Sequence, residues 1–185
     1  EIQSIPDDRF KSIAREFNHK ITLIENVAPS SGERHPLPAD LPPALFTALT
    51  AVNIKHFYSH QLEALQSLRA GKDLALVTPT ASGKTLCFNP AIIEACIYNR
   101  LITALYVFPL KALANDQFGK LTQLVNGMPA NKRIKIGMMT GDVPPHERIQ
   151  MFTPVAPQIL AVSPDLLHHH LFKTRNTREW NAWRE

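Results

Sequence analysis

A lysine and a threonine, Lys84-Thr85, close the run Thr78-Pro79-Thr80-Ala81-Ser82-Gly83, and the apolar residues 74–77 (LALV) precede it. That arrangement suits one kind of chemistry. Small residues let backbone N–H groups turn inward on phosphate oxygens, so Ala81, Ser82 and Gly83 can line a cradle with Thr78, Pro79 and Thr80. A helix starting after the glycine adds its positive N-terminal end. Lys84 supplies a point charge for the β- and γ-phosphates of a nucleoside triphosphate such as ATP. The Thr85 hydroxyl can ligate the Mg²⁺ that accompanies the nucleotide, which makes Lys84 and Thr85 the candidate catalytic pair. Thr78 stands where the general pattern has glycine.

Such a loop needs a strand before it and a helix after it, and the surrounding sequence offers both repeatedly. "SHQLEALQSLRAG" carries Leu62, Leu65 and Leu68 at helical spacing, with Ser59 as candidate N-cap and Gly71 as its stop. "DLALVT" reads as a strand and residues 83–98 as a helix, with Pro90 predicting a kink. "ITALYVF", "RIKIGMMT" and "QILAVS" read as further strands, separated by helices over 111–125 and 145–151. Another helix follows from Pro164. Short apolar strands alternating with helices predict an α/β domain with a mainly parallel sheet flanked by helices. Ligands collect at the carboxyl ends of strands in such sheets, and the motifs fall there.

Before residue 51 the character differs. A helical pattern over residues 7–19 is followed by "HPLPADLPPAL", whose prolines forbid regular helix or a central strand. A short helix is expected over 43–52. Residues 1–50 therefore read as a helical and proline-rich accessory segment, and 51–185 as the α/β domain.

Composition sets the outer limits. With 44% apolar and 19% charged residues among 185, the chain can bury a real core. Its net charge of +4 and pI near 9.2 permit an anionic partner such as nucleic acid, and equally fit a mildly basic enzyme. Two cysteines, Cys87 and Cys96, are too few for a disulfide scaffold or a zinc site and read as reduced core residues. The sequence "EIQSIPDDRF" has no signal-peptide character, and no stretch of about 18 apolar residues occurs. The expectation is a cytoplasmic protein without a membrane partner. His168, His169 and His170 are adjacent and so point in different directions on a helix, a poor metal site.

"FYSHQ" (57–61), "TPTASGKT" (78–85), "PLKALANDQ" (109–117), "TGD" (140–142) and "SPDLL" (163–167) stand in the order and spacing of superfamily 2 DEAD/DEAH-box helicases. The chain resembles the front of that family's first RecA-like motor domain. The wording is most similar to bacterial DEAH-type DNA repair helicases that carry a C-terminal cysteine-rich metal-binding region. The resemblance implies a RecA-like P-loop fold using ATP and Mg²⁺, with Gln61 reading the adenine edge and Tyr58 stacking on the base. It implies a nucleic-acid track, for DNA, held by its backbone at Pro109, Lys111, Ala112, Thr140, Gly141, Ser163 and Pro164. Asn115, Asp116 and Gln117 are weaker candidates, and Asp165 reads as a helix cap.

In that family an Asp-Glu pair ends the strand after "SPDLL" and its helix, placing Mg²⁺ and orienting the attacking water. No Asp-Glu dipeptide occurs in this sequence. The expectation is thus a domain truncated before the Walker B strand, lacking the second RecA-like domain and hydrolysing no ATP alone. Two other readings stand beside it: a non-catalytic module binding an anion or nucleic acid, and a P-loop nucleotide kinase.

Overall fold

The computed structural model describes residues 32–79, 82–141 and 143–168; the helix expected over 7–19 and residues His169 and His170 lie outside them. The chain divides after Gly32, and the unit beginning at Glu33 is the one described. In chain order its elements are β1 (Arg34–Pro36), α1 (Pro43–Ala51), β2 (His56–Tyr58), α2 (Ser59–Arg69), α3 (Thr85–Tyr98), β3 (Ala104–Val107), α4 (Lys111–Asn126), a 3₁₀ turn (Ala130–Lys132), β4 (Ile136–Met139), α5 (Pro145–Met151), β5 (Ile159–Val162) and α6 (Pro164–His168).

The apolar run "ILAV" fills the middle of a parallel three-stranded sheet of spatial order β3-β5-β4. All four of its residues are buried, as expected for a strand covered on both faces and paired on both edges. Side chains alternate across it. Ile159 and Ala161 join Tyr106, Leu45, Leu49, Ile93, Leu121 and Leu124 in the larger core. Leu160 and Val162 join Met139 and Phe152 on the opposite face. On β4 a side-chain carbon at Gly137 would run into Met151 of α5, so glycine there lets that helix lie against the sheet. Among the described residues the outer edge of β3 has no strand neighbour, and Leu105 and Val107 stay exposed there.

Helix ends follow local chemistry. After α2, Gly71 takes φ +69°, with Gly71 N–H donating to Leu68 O and Lys72 N–H to Ser67 O; the pair of bonds is a Schellman stop. After α1, Asn53 does the same at φ 62°, with bonds to Thr50 O and Leu49 O. Arg69, in the last turn of α2, forks onto Glu94 of α3 through Nε and Nη2, both at 2.8 Å. Its Nη1 reaches Asp40 in the proline-rich passage at 2.8 Å. Leu37 and Leu41 of that passage are buried in the larger core, so the segment wraps the domain.

Three sequence expectations need correction. Residues 72–79 have no regular structure, and Val77 is 95% exposed. "DLALVT" has the apolar content of a strand, but a strand forms only against a neighbour, and no described residue pairs with it. Next, a small antiparallel ribbon, Arg34↔Tyr58 to Pro36↔His56, was not foreseen. Pro36 sits at the end of an edge strand, where a missing N–H does no harm. Finally, the N-cap of α2 is Tyr58 and not Ser59. Gln61, three residues on, accepts Tyr58 N–H through Oε1 at 3.0 Å, which fixes the start one residue earlier.

Because Leu160 is fully buried on the central strand, Leu160→Ala should cost roughly 2–5 kcal/mol of stability. Urea denaturation followed by circular dichroism checks it.

Candidate nucleotide-binding site and nucleic-acid interface

Gly83 at φ +78° cannot begin a helix, so α3 starts at Thr85 with Lys84 as its N-cap. The loop before it is held by side chains. Thr78 Oγ1 and Ser82 Oγ share a 2.7 Å hydrogen bond, so the threonine in the glycine position closes the loop on itself. Lys84 Nζ donates to Pro79 O at 2.6 Å. Ser82 O lies 3.0 Å from His60 Nε2 at the head of α2. Thr80 and Ala81 lie outside the described residues.

Gln61 joins this loop to the base side of the site. It is 2% exposed; Oε1 accepts Tyr58 N–H and Nε2 donates to Gly83 O at 3.1 Å. One N–H and one lone pair of the amide remain for a ligand, the donor–acceptor pair an adenine edge requires. A side-chain carbon on Gly83 would approach Gln61 Nε2 to 2.5 Å, so the glycine serves both its φ and this contact. Beside them opens a cleft of about 400 Å³ lined by Arg34, Ile54, Phe57, Tyr58, Gln61, Gly83 and Leu86 among others. Tyr58 lies in it with its ring stacked on His60 at 5.8 Å between centroids, and Arg34 sits 5.6 Å from the same ring. Sequence reasoning missed Arg34 and His60. Arg34 falls in a proline-rich stretch whose strand pairing no local pattern reveals.

The Thr85 hydroxyl donates to Gln117 Oε1 of α4 at 2.5 Å. That bond uses its hydrogen and leaves oxygen lone pairs for a cation, so the residue fits the Mg²⁺ role. Gln117 Nε2 and Lys120 Nζ both donate to Asp116, at 2.9 and 2.7 Å. Gln117 therefore links the phosphate loop to the helix that begins at Lys111, a role its place in "PLKALANDQ" did not single out.

The track residues meet through sheet register. Val107 and Met139 both pair with Val162, so the strands end level and the chain leaves all three at one edge. Pro109, Lys111 and Ala112 follow β3, Thr140 and Gly141 follow β4, and Ser163 and Pro164 follow β5. The β3 and β4 loops are brought together directly: a side-chain carbon on Gly141 would lie 4.0 Å from Lys111 Nζ. Thr140 is 4% exposed, so it is buried at this edge, while Gly141 beside it is exposed. Asp165 stands in the first turn of α6. Cys87 and Cys96 are buried free thiols; burial pushes both up, Cys96 to about 11, with Lys84 opposing the rise at Cys87. Thiols so shifted are protonated at neutral pH and poor nucleophiles.

A phosphate-type loop beside a level row of strand-end loops suits a nucleotide-binding α/β domain. The DEAD/DEAH box helicase family matches residues 58–184, and the chain belongs to that family. It is 33% identical over 151 residues to the ATP-dependent helicase YprA of Bacillus subtilis, covering 82% of this chain and 20% of YprA. It is 31% identical over 164 residues to the ATP-dependent helicase hrq1 of Schizosaccharomyces pombe, covering 89% of this chain and 15% of hrq1. The chain thus spans about a fifth or less of these relatives' lengths. Among solved structures it resembles the DUF1998 helicase MrfA bound to DNA and AMPPNP, with a TM-score of 0.69 and 32% identity over 85% of this chain and 23% of that one. A DEAD box protein from Methanococcus jannaschii, 20% identical with a TM-score of 0.64 over 80% of this chain and 40% of that one, shares the fold. The fold is RecA-like, as expected, and neither the kinase nor the simple binding-module reading is favoured.

The Gly83–Gln61 contact generates a double-mutant test. Gly83→Ala should destabilise the chain by about 1–3 kcal/mol through its φ and the clash with Gln61. In a Gln61→Ala background the added cost should shrink by at least about 0.5 kcal/mol. Denaturant titration of the four forms measures both.

Proposed function

We propose that this chain supplies the nucleotide-binding face and part of the nucleic-acid track in the first motor domain of an ATP-dependent DNA helicase of the DNA-repair type. In this reading residues 1–50 are an accessory segment, of which Leu37 and Leu41 are buried in the core of the domain, and 51–185 form the partial RecA-like domain. The observation that carries it is the level register of β3, β5 and β4, which aligns Pro109–Ala112, Thr140–Gly141 and Ser163–Pro164 along one edge, near the helix whose Gln117 holds Thr85. Backbone groups and Lys111 there hold phosphates without reading bases. MrfA, solved with DNA and with AMPPNP, supports DNA as the strand.

In the nucleotide site Tyr58 and Gln61 take the base. Thr78, Pro79, Thr80, Ala81, Ser82 and Gly83 surround the phosphates, Lys84 turns from Pro79 O to meet them, and Thr85 offers an oxygen to Mg²⁺. When bound, Mg²⁺ neutralises phosphate charge and ATP supplies the energy of the cycle. No helix among the described residues is long and apolar enough to cross a membrane. We assign the chain a cytoplasmic setting. Hydrolysis requires carboxylates that place Mg²⁺ and orient water, and the sequence holds no Asp-Glu pair for them. A second RecA-like domain is likewise required of the complete motor.

ATP turnover with and without single-stranded DNA tests this reading, on this chain and on a protein extended to the length of its relatives. The short chain should hydrolyse none. The long form should be DNA-stimulated and should lose about two orders of magnitude or more with Lys84→Ala. Turnover by the short chain itself would overturn the assignment of the missing carboxylates.

A further inference from the structure

The loop between β4 and α5 has an organiser that no motif marks. Arg148, on α5, donates from Nε to Val143 O at 2.7 Å and from Nη2 to Thr140 O at 3.2 Å and Gly141 O at 3.3 Å. Three carbonyl oxygens of one short loop thus face a single guanidinium. A Val143 N–H bond to Thr140 O, 3.2 Å, closes the turn around it.

This arrangement has an electrical consequence. Carbonyl oxygens are the negative ends of peptide dipoles, and any of them facing the strand-end edge would repel a phosphate. In a trans peptide the C=O and the following N–H point in opposite directions. With Thr140 O drawn to Arg148, the Gly141 N–H is turned away from it. The carbonyls of Thr140 and Gly141 are thereby held by the guanidinium, and Gly141 itself lies beside Lys111 Nζ. Arginine suits the task because its planar fork satisfies several acceptors at once and stays charged; a lysine is a point donor.

We propose that Arg148 is a positioning residue for nucleic-acid phosphate: it holds the Thr140–Gly141 backbone so that its donors, and not its carbonyls, line the track beside Lys111. The proposal rests on the DNA-track reading above, since Arg148 acts through that loop and not by touching the strand.

Two measurements on the 185-residue chain test it. The first is fluorescence anisotropy with a labelled single-stranded DNA oligonucleotide across a salt series. Arg148→Ala should bind about tenfold more weakly with an unchanged slope of log affinity against log salt. Lys111→Ala, which removes a charge at the track, should lower that slope by about 0.7. Arg148→Lys should fail to restore affinity. The second is backbone hydrogen exchange on the free chain, where the peptide spanning 139–147 should exchange faster in Arg148→Ala while the melting temperature moves by no more than a few degrees. A fall in slope with Arg148→Ala equal to that of Lys111→Ala would make Arg148 a phosphate contact and overturn the proposal. Unchanged affinity or unchanged exchange overturns it as well. Absence of DNA binding by the wild-type chain, with the exchange change intact, overturns the track reading and the positioning role together while leaving the loop contact standing.

Discussion

The pairing of β5 with β3 and β4 at once is the constraint on which the described architecture rests. One buried four-residue strand sets the register of both neighbours, and that register alone makes the three strand-end loops level. It also divides the core, since alternate residues of β5 serve opposite faces. The central strand is the last of the three in the chain. Among the described residues, β3 and β4 gain their sheet partner only once β5, Ile159–Val162, is made. Parallel pairing across such sequence separations is slow, because loop closure precedes any contact it enables.

The nucleotide side depends on a second, smaller joint. Gln61 uses one end of its amide to start α2 and the other to hold the carbonyl of Gly83, and it is buried while doing both. Base cleft and phosphate loop therefore share a rigid part even though the run before the loop is not in the sheet. From the other side Thr85 and Gln117 tie the loop to α4. A ligand that moves Thr85 acts on the helix that starts with Lys111, which gives the two halves of the site a physical connection of two side chains.

Much of this was readable in the residues. Small residues ahead of Lys84-Thr85, glycine stops, and apolar runs such as "ILAV" announce themselves because their causes are local: φ preferences, dipoles, and side-chain alternation. What could not be read has non-local causes. "DLALVT" has strand composition, yet pairing depends on a partner that composition does not contain. The β1–β2 ribbon joins residues 34–36 to 56–58 through Pro36, a residue that argues against strands in isolation. Arg34, His60, Gln117 and Arg148 gain their places from helices and loops folding over one another. In the sequence each is an ordinary polar residue on a segment with another evident purpose.

At rest the phosphate loop is occupied by itself. Thr78 bonds Ser82, and Lys84 bonds the carbonyl of Pro79, so these three side chains suited to hold phosphate already have partners. The loop is thus a competitor for its own ligand, and the observed affinity is the intrinsic one scaled by the fraction of chains in which the loop stands open. A hydrogen bond of this kind contributes about 1 kcal/mol, so each such closure weakens apparent binding several-fold. A nearby element that drew Lys84 off Pro79 would raise affinity without touching the nucleotide, because it would change only how often the site is vacant.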